Sequence, residues 1–141
     1  MERKALPFLE EKVPKDSWKS IKYFNSNEFK CPCCGKSDIS MALVRRLDMA
    51  REIAGVPFRI TSGVRCIKHN REVGGVPNSA HLRGLAADIF TPNEDYRFAV
   101  IKGVILAGFR RIGIGSKFIH VDVDDSKPQG RIWLYGGVKD V

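Results

Sequence analysis

Two short apolar segments in the second half of the chain carry polar residues at fixed positions, and this pattern limits the folds open to the chain. In the later segment, His120 and Asp122 alternate with three branched apolar residues, which are Ile119, Val121 and Val123. Side chains two residues apart in a β-strand lie on the same face. His120 and Asp122 therefore share one face of a predicted strand, and the apolar residues line the other. This arrangement is typical of a functional site on the surface of a sheet.

The earlier segment, Ala86–Phe90, predicts a strand with a carboxylate inside it. An unpaired Asp88 would be costly there because the residues around it are apolar. Metal coordination is one of the few ways to make such a carboxylate tolerable, and two imidazoles with one carboxylate are a frequent catalytic zinc set. A second imidazole, that of His81, lies shortly before this strand. Taken singly, His81 could be a surface-loop residue and His120 a packed strand residue.

Periodicity and capping signals predict two main helices. The first follows a cap at Ser37 or Asp38 and ends at Gly55. The second follows a cap at Asn93 and covers residues 94–107. The apolar residues assigned to the second helix are Phe98, Val100, Ile101 and Ile105.

The strands are short and lie mostly late in the chain. Besides Ala86–Phe90, they are predicted at Phe58–Thr61, Ile112–Ile114, Phe118–Val123 and Ile132–Tyr135. The stretch from Ser62 to Gly84 is predicted as a long functional loop. These elements indicate an α+β fold with a small, mostly antiparallel sheet, two main helices and a metal site on one sheet face. Residues 1–28 are predicted as an arm that packs on a single domain of residues 29–141.

The charge and hydropathy of the chain limit the classes of function that are possible. Among 141 residues, 24 basic and 16 acidic side chains give a net charge of +8, spread along the chain. This charge favours polyanions, including nucleic acid and anionic cell-wall polymer, but no recognition-helix or zinc-finger spacing accompanies it. We therefore expect no specific nucleic-acid partner. No apolar run reaches the ~18 residues of a membrane span, and no signal peptide is readable at residues 1–11, so we expect synthesis as a soluble cytoplasmic chain.

A longer set of motifs resembles a known peptidase family. The motifs are Ile60-Thr61-Ser62-Gly63-Val64-Arg65, Asn70, the stretch from Val73 to His81, Gly84, Ala86, Asp88 and His120-Val121-Asp122. Together they resemble the zinc D-alanyl-D-alanine carboxypeptidases and the related peptidoglycan endopeptidases of bacteria and phages. The resemblance covers roughly residues 29–135. The central motif is Ser-x-His-x-x-Gly-x-Ala-x-Asp. Together with Ser-Gly-x-Arg upstream and His120 downstream, this motif makes the resemblance specific.

The resemblance implies a role for each matching residue. His81, Asp88 and His120 would be the three ligands of one catalytic zinc ion. Arg65 would approach the substrate carboxylate or the developing oxyanion, since a guanidinium offers a planar pair of donors. Ser79 would lie beside the metal, help fix the loop and contribute to substrate binding.

One departure from the family pattern concerns the general base. Many relatives place Glu or Asp three residues before the second His, or another His two before it, and here these positions are Lys117 and Phe118. The attacking water must nevertheless lose a proton. Asp122 lies on the His120 face and is predicted to be either the base or a supporting partner of the metal site. Asp124 is a second candidate that could also be only a turn residue.

The four cysteines suggest a second metal site. Cys31-x-x-Cys34-Gly35 has the shape of a zinc knuckle, and Cys66-x-x-His69 has the spacing to complete a structural site of three cysteines and one histidine. Four cysteines are too few for a disulfide scaffold, and a cytoplasmic chain favours free thiols. In the alternative interpretation, Cys33, Cys34 and Cys66 are buried small hydrophobes.

The sequence therefore predicts a monomeric zinc peptidase that hydrolyses amide bonds in peptidoglycan peptides, as a carboxypeptidase or as an endopeptidase. Without a readable signal peptide, we expect such an enzyme to reach the cell wall by lysis-linked or particle-linked release, which suits a phage. One alternative is a non-catalytic, metal-bearing module of the same fold that binds cell wall or protein. Another is a basic nucleic-acid-binding protein with a structural Cys/His metal.

Overall fold

The computed structural model describes residues 15–136, and the side chains of residues 18–136. Residues 1–14 of the predicted arm lie outside the described residues. The chain enters through two 3-10 turns, Lys15–Ser20 and Ser26–Phe29. Phe24 and Phe29 are buried in the core, and Trp18 packs against it. Side chains between residues 18 and 29 thus contribute to the core of the fold.

The first helix, α1, is Met41–Ala54. The predicted caps at Ser37 and Asp38 are wrong, because the side chain of Ser40 accepts the hydrogen bond from the backbone amide of Leu43 at 3.3 Å. Gly55 closes the helix in the left-handed conformation at φ 72°, at the predicted residue. The backbone amide of Ser40 also donates to the carbonyl of Gly84 at 2.8 Å, which joins the start of α1 to the turn that carries His81.

The segment predicted as one long loop contains helical structure. A short helix, α2, is Ile67–Glu72, and a 3-10 turn is Ala80–Arg83. The sequence signal for α2 is weak because its cap is Cys66, whose sulfur accepts from the backbone amide of His69 at 3.4 Å. Cysteine is not among the residues that usually identify a helix start.

The third helix, α3, is Glu94–Leu106, and Asn93 caps it as predicted. The predicted apolar face is only partly right, because Phe98 is 69% and Ile105 is 47% exposed. The buried face is instead Val100, Gly103, Val104 and Ala107. Gly103 explains the difference, since a Cβ there would lie 2.4 Å from the carbonyl oxygen of Ala50 on α1. The two helices therefore pack closely at Gly103, and that contact sets the rotation of α3.

Five strands form one sheet in the order β1-β2-β4-β3-β5. The strands are β1 Ile60–Ser62, β2 Ala86–Phe90, β3 Arg111–Ile114, β4 Phe118–Asp122 and β5 Arg131–Leu134. All neighbouring pairs are antiparallel except β3 and β5, which are parallel. The predicted α+β fold with a mostly antiparallel sheet is confirmed. The predicted strand at Phe58–Thr61 begins later, and Val123 and Tyr135 lie just beyond the ends of their strands.

The helices and the sheet enclose one core. Apolar side chains of α1 and α3 pack against Ala87, Ile89, Ile119 and Val121 from the two central strands. The alternate residues of these strands, Asp88, His120 and Asp122, are also buried but lie on the other face. That face carries the candidate site. No helix in the described part of the chain is long and apolar enough to cross a membrane.

Gly84 ends the 3-10 turn at φ 70°. A substitution there tests how closely this turn packs against the segment before α1. A Cβ there would meet the carbonyl oxygen of Asp38 at 2.3 Å, whereas a Cβ at Gly55, with φ 72°, would meet nothing within 4 Å. We expect Gly55→Ala to cost about 1–2 kcal/mol of unfolding free energy for the left-handed conformation. Gly84→Ala should cost about 2–4 kcal/mol because the steric clash adds to it. Denaturant unfolding of both variants measures this, and equal losses would contradict the close contact at Gly84.

Candidate active site

The pairing of the two central strands creates the centre of the site. Asp88 on β2 lies directly opposite His120 on β4, and the Asp88 Oδ1 to His120 Nδ1 distance is 3.0 Å. The 3-10 turn brings His81 to the same carboxylate, with its Nε2 3.3 Å from Asp88 Oδ1. One donor atom from each residue lies within 4.8 Å of the others. The structure thus brings together all three residues predicted as metal ligands.

Hydrogen bonds fix the two histidine rings. The Nδ1–H of His81 donates to the carbonyl of Gly63 at 2.7 Å, and the Nε2–H of His120 donates to Asp122 Oδ2 at 2.8 Å. In a neutral ring this bond uses the only ring proton, so the remaining nitrogen presents a lone pair to Asp88. Such a nitrogen can face the carboxylate oxygen favourably only when a cation lies between them, which is either a proton or a metal ion. The donor set therefore fits a metal ion such as zinc.

The ionisation of the buried groups agrees with a cation site. Burial raises the pKa of Asp88, but hydrogen bonds with His120 and His81 outweigh burial and hold the pKa below its ordinary value. Burial lowers the pKa of His120, but hydrogen bonds with Asp122 and Asp88 raise it above its ordinary value. Both shifts mean that the cluster favours positive charge beside the two carboxylates.

Asp122 is held on both carboxylate oxygens. Its Oδ2 accepts from His120, and its Oδ1 accepts from Arg111 Nε at 2.8 Å and from the backbone amide of Asp124 at 3.1 Å. The Arg111 guanidinium also lies 4.8 Å from the centre of the Trp133 ring. Burial raises the pKa of Asp122, but the bond to His120 and the charge of Arg111 lower it below its ordinary value. The carboxylate is therefore charged and oriented toward the ring of His120.

Arg65 points at the same centre from the segment before α2. Its Nη2 lies 3.4 Å from Asp88 Oδ2, its Nε donates to Ser62 Oγ at 3.0 Å, and its Nη1 donates to Asn70 Oδ1 at 3.0 Å. Gly75 leaves the space for this arrangement, because a Cβ there would lie 2.1 Å from Asn70 Oδ1 and 2.8 Å from Arg65 Nη1. The Arg65 side chain is only 12% exposed, and its three hydrogen-bond partners hold the guanidinium in one orientation.

The remaining predicted residues have more local roles. Ser79 caps the 3-10 turn, and its Oγ accepts from the backbone amide of His81 at 3.2 Å. Asp124 is buried and pairs with Arg83, and it accepts from the amide and hydroxyl of Ser126. These contacts are those of a turn residue, which is one of the two roles predicted for Asp124.

A cleft of about 480 Å³ opens over the three donor residues. Arg65, Ser79 and Asp122 also line it, together with Phe118. Sequence reasoning missed four further lining residues, which are Arg111, Lys127, Trp133 and Tyr135.

The aromatic pair had a signal in the sequence. Trp133 and Tyr135 are two residues apart and so lie on one side of the last predicted strand. In the sheet, Gly113 on β3 lies opposite Trp133. A Cβ at Gly113 would lie 2.4 Å from the Tyr135 ring and 2.7 Å from Trp133 Nε1. The glycine therefore makes room for the two rings, whose centres lie 5.6 and 6.0 Å from that of His120.

The structure also brings three cysteines together, away from the cleft. The sulfurs of Cys31, Cys34 and Cys66 lie within 4.8 Å of one another. The interpretation of Cys33 and Cys34 as buried hydrophobes is wrong, because both are exposed and only Cys31 is fully buried. All four cysteines are free thiols.

Comparison with known proteins agrees with this geometry. No curated protein matches the chain. A family model described as Peptidase M15 matches residues 22–122, which include His81, Asp88 and His120 as well as Arg65. The match ends at Asp122 and so does not reach Trp133 and Tyr135. Because the matched range is most of the chain, the protein belongs to the Peptidase M15 family, a metallopeptidase family of the zinc D-Ala-D-Ala carboxypeptidase type.

Proposed function

We propose that the chain is a zinc peptidase that hydrolyses an amide bond in peptidoglycan peptides. The observation that carries this proposal is the convergence of His81, Asp88 and His120 in a cleft that also holds a buried, oriented Arg65. Membership of the Peptidase M15 family supports the same reaction class. The net charge of +8 favours contact with an anionic cell wall.

His81, Asp88 and His120 would hold the ion, and hydrogen bonds to the two histidine rings fix which ring nitrogen faces it. Zinc supplies Lewis acidity, which polarises a carbonyl and makes water a competent nucleophile near neutral pH. The carbonyl of Gly63 and the carboxylate of Asp122 keep the two imidazoles in the tautomers that present lone pairs to the site. The family relationship and the donor geometry both support this ligand set.

The other residues of the cleft would bind and orient the peptide. Arg65 offers a cationic donor beside Asp88, suited to the carboxylate of a peptide end or to an oxygen that becomes negative during the reaction. Burial raises the pKa of Tyr135, so its hydroxyl stays protonated at neutral pH and serves as a hydrogen-bond donor. Trp133 and Tyr135 together provide an apolar wall on which a peptide side chain can pack.

For Asp122, the contacts favour the supporting role over the role of base. Both of its oxygens already accept hydrogen bonds, one of them from the ring of His120. A carboxylate that binds the second nitrogen of a ligating histidine orients the ring and increases its basicity. We therefore propose that Asp122 acts through His120.

The bond that is cut can be identified with purified peptidoglycan fragments. A carboxypeptidase would release single D-alanine residues from the free end of the stem peptide, and an endopeptidase would split the peptide or its cross-link. Mass spectrometry of the products separates these two outcomes. If neither product forms in the presence of zinc, while the fragments still bind to the protein, the chain is instead the non-catalytic module of the same fold.

Arg65→Ala tests the substrate contact. We expect this variant to keep its zinc, because the two ring nitrogens approach Asp88 Oδ1 whereas Arg65 approaches Oδ2. Its kcat/KM on wall peptides should fall about 10²–10³-fold, as when one oxyanion donor is lost. Zinc analysis and peptide hydrolysis measure the two effects. Arg71→Ala, an exposed cation on α2, is the matched control. Parent-like turnover of Arg65→Ala would show that Arg65 does not contact the substrate.

A further inference from the structure

The three clustered thiols lie at a junction between two segments that are distant in sequence. Cys31 and Cys34 belong to the turn Cys31-Pro32-Cys33-Cys34-Gly35, and Cys66 caps helix α2. Neither segment's cysteines line the cleft described above. The sulfurs lie within 4.8 Å of one another, which is the spacing of ligands around a single ion.

The turn has the backbone geometry of a metal-binding knuckle. The amide of Gly35 donates to the carbonyl of Cys31 at 2.8 Å, and the amide of Cys31 donates to the carbonyl of Lys36 at 2.8 Å. Gly35 adopts the left-handed conformation at φ 79°, which permits this tight reversal. The turn therefore holds the first and fourth residues of Cys-x-x-Cys on the same side.

Backbone amides are directed at the sulfurs. The amide of Cys66 donates to Cys31 Sγ at 3.4 Å, and the amide of His69 donates to Cys66 Sγ at 3.4 Å. These amides stabilise negative charge on the two sulfurs that they contact, as a metal-binding thiolate requires.

We propose that Cys31, Cys34 and Cys66 bind a second zinc ion as thiolates, with His69 as the fourth ligand. Three thiolates within 4.8 Å of one another would repel unless a cation lay between them, and a disulfide would pair only two of the three. Thiolates with an imidazole are a structural zinc set because four protein ligands leave no position for substrate.

His69 is the proposed fourth ligand because it lies one turn after Cys66 on α2, although its ring is not part of the three-sulfur cluster and would have to turn toward the ion. Its side chain is 20% exposed, and its Nδ1 lies 4.0 Å from the carboxylate of Glu72, which is too long for a hydrogen bond. The ring is therefore not committed to that partner. Cys33 also lies outside the three clustered thiols and is exposed, so it is the alternative fourth ligand that the test must exclude.

The ion would join the start of the fold to the segment that carries Arg65. Cys66 directly follows Arg65, and Asn70 on the same short helix accepts from the Arg65 guanidinium. On the other side of the junction, the amide of Val64 donates to the carbonyl of Phe29 at 2.9 Å. The second zinc would thus fix α2, and with it the orientation of Arg65, without touching the substrate.

Metal content of the full chain, purified under reducing conditions with zinc supplied, tests the proposal. We expect two zinc ions per chain in the parent, and one in each of His81→Ala and Cys34→Ser. Cys33→Ser is the matched control in the same turn and should keep both ions. After replacement by Co²⁺, the parent and His81→Ala should show thiolate-to-cobalt charge-transfer absorption in the near ultraviolet, and Cys34→Ser should lack it.

A second measurement uses only the parent and does not depend on the folding of a variant. Titration of the thiols with an organomercurial should release one zinc ion per chain, detected with a colorimetric chelator, while the other ion stays bound. No zinc release by the mercurial, or no charge-transfer band, would overturn the second site. A single zinc in the parent that the mercurial does release would instead place the failure at the His81 site. If His69→Ala keeps both ions and Cys33→Ser loses one, the assignment of His69 is wrong.

Discussion

Alanine in place of His81, Asp88 or His120 is expected to remove one zinc ion per chain and to abolish hydrolysis of wall peptides. Each change removes one of three protein ligands, and two remaining ligands hold zinc poorly. Lewis-acid catalysis contributes several kcal/mol to the reaction. Since every ~1.4 kcal/mol is a factor of ten, the rate should fall by roughly 10³-fold or more. Metal analysis and mass spectrometry of the peptide products measure the two losses.

The control for this prediction separates ligand loss from unfolding. Asp88→Asn keeps the shape of the side chain and should lose the ion while circular dichroism remains that of the parent. Asp125→Ala removes an exposed carboxylate three residues after Asp122 and should keep both zinc and activity. Near-stoichiometric zinc at this site in all three alanine variants would show that the ligand set is wrong. This outcome is independent of the cysteine site, whose zinc is measured separately in Cys34→Ser.

Asp122→Asn is expected to weaken zinc binding about 10–100-fold, as changes in the partners of metal ligands do. The asparagine can still accept from the Nε2–H of His120, but it no longer carries the charge that makes the ring a stronger ligand. Arg111 also loses its charged partner at 2.8 Å. Hydrolysis at limiting zinc should fall in the same proportion, and excess zinc should restore most of it. Zinc titration with a competing chelator gives the affinity, and peptide turnover at several zinc concentrations gives the rate.

A general base would give a different result in the same experiment. Loss of a base leaves zinc affinity unchanged and lowers turnover about 10²–10⁴-fold, and added zinc does not restore the rate. That outcome would contradict the supporting role of Asp122 and would identify Asp122 as the general base. Asp125→Asn is the control, since Asp125 is an exposed carboxylate close to Asp122 in the sequence.

The sequence predicts the central strands and their polar face well because strand alternation is a local property. His120 and Asp122 had to share a face, with Ile119 and Val121 on the other, and the structure has this arrangement. The pairing of Asp88 with His120 is not local, since it depends on which strands are neighbours in the sheet. The family resemblance, rather than periodicity, implied that these residues act together.

The elements that the sequence did not predict depend on tertiary contacts or on unusual caps. Helix α2 begins at Cys66, and a sulfur acceptor carries no recognised capping signal. The face that α3 presents to the core is fixed by the close approach at Gly103 rather than by the sum of its apolar residues. Trp133 and Tyr135 enter the site because β5 pairs in parallel with β3, which no local pattern indicates.

The position of β5 at the edge of the sheet separates two tasks within this enzyme. The proposed metal ligands come from or beside the central strands, whereas the aromatic wall of the cleft comes from the last strand and the residue after it. An edge strand has one neighbour, so fewer contacts of the sheet depend on its side chains. Tyr135 lies just beyond the end of this strand, so a change there can alter which peptide fits, whereas Trp133 also packs on Arg111 and is tied to the support of Asp122.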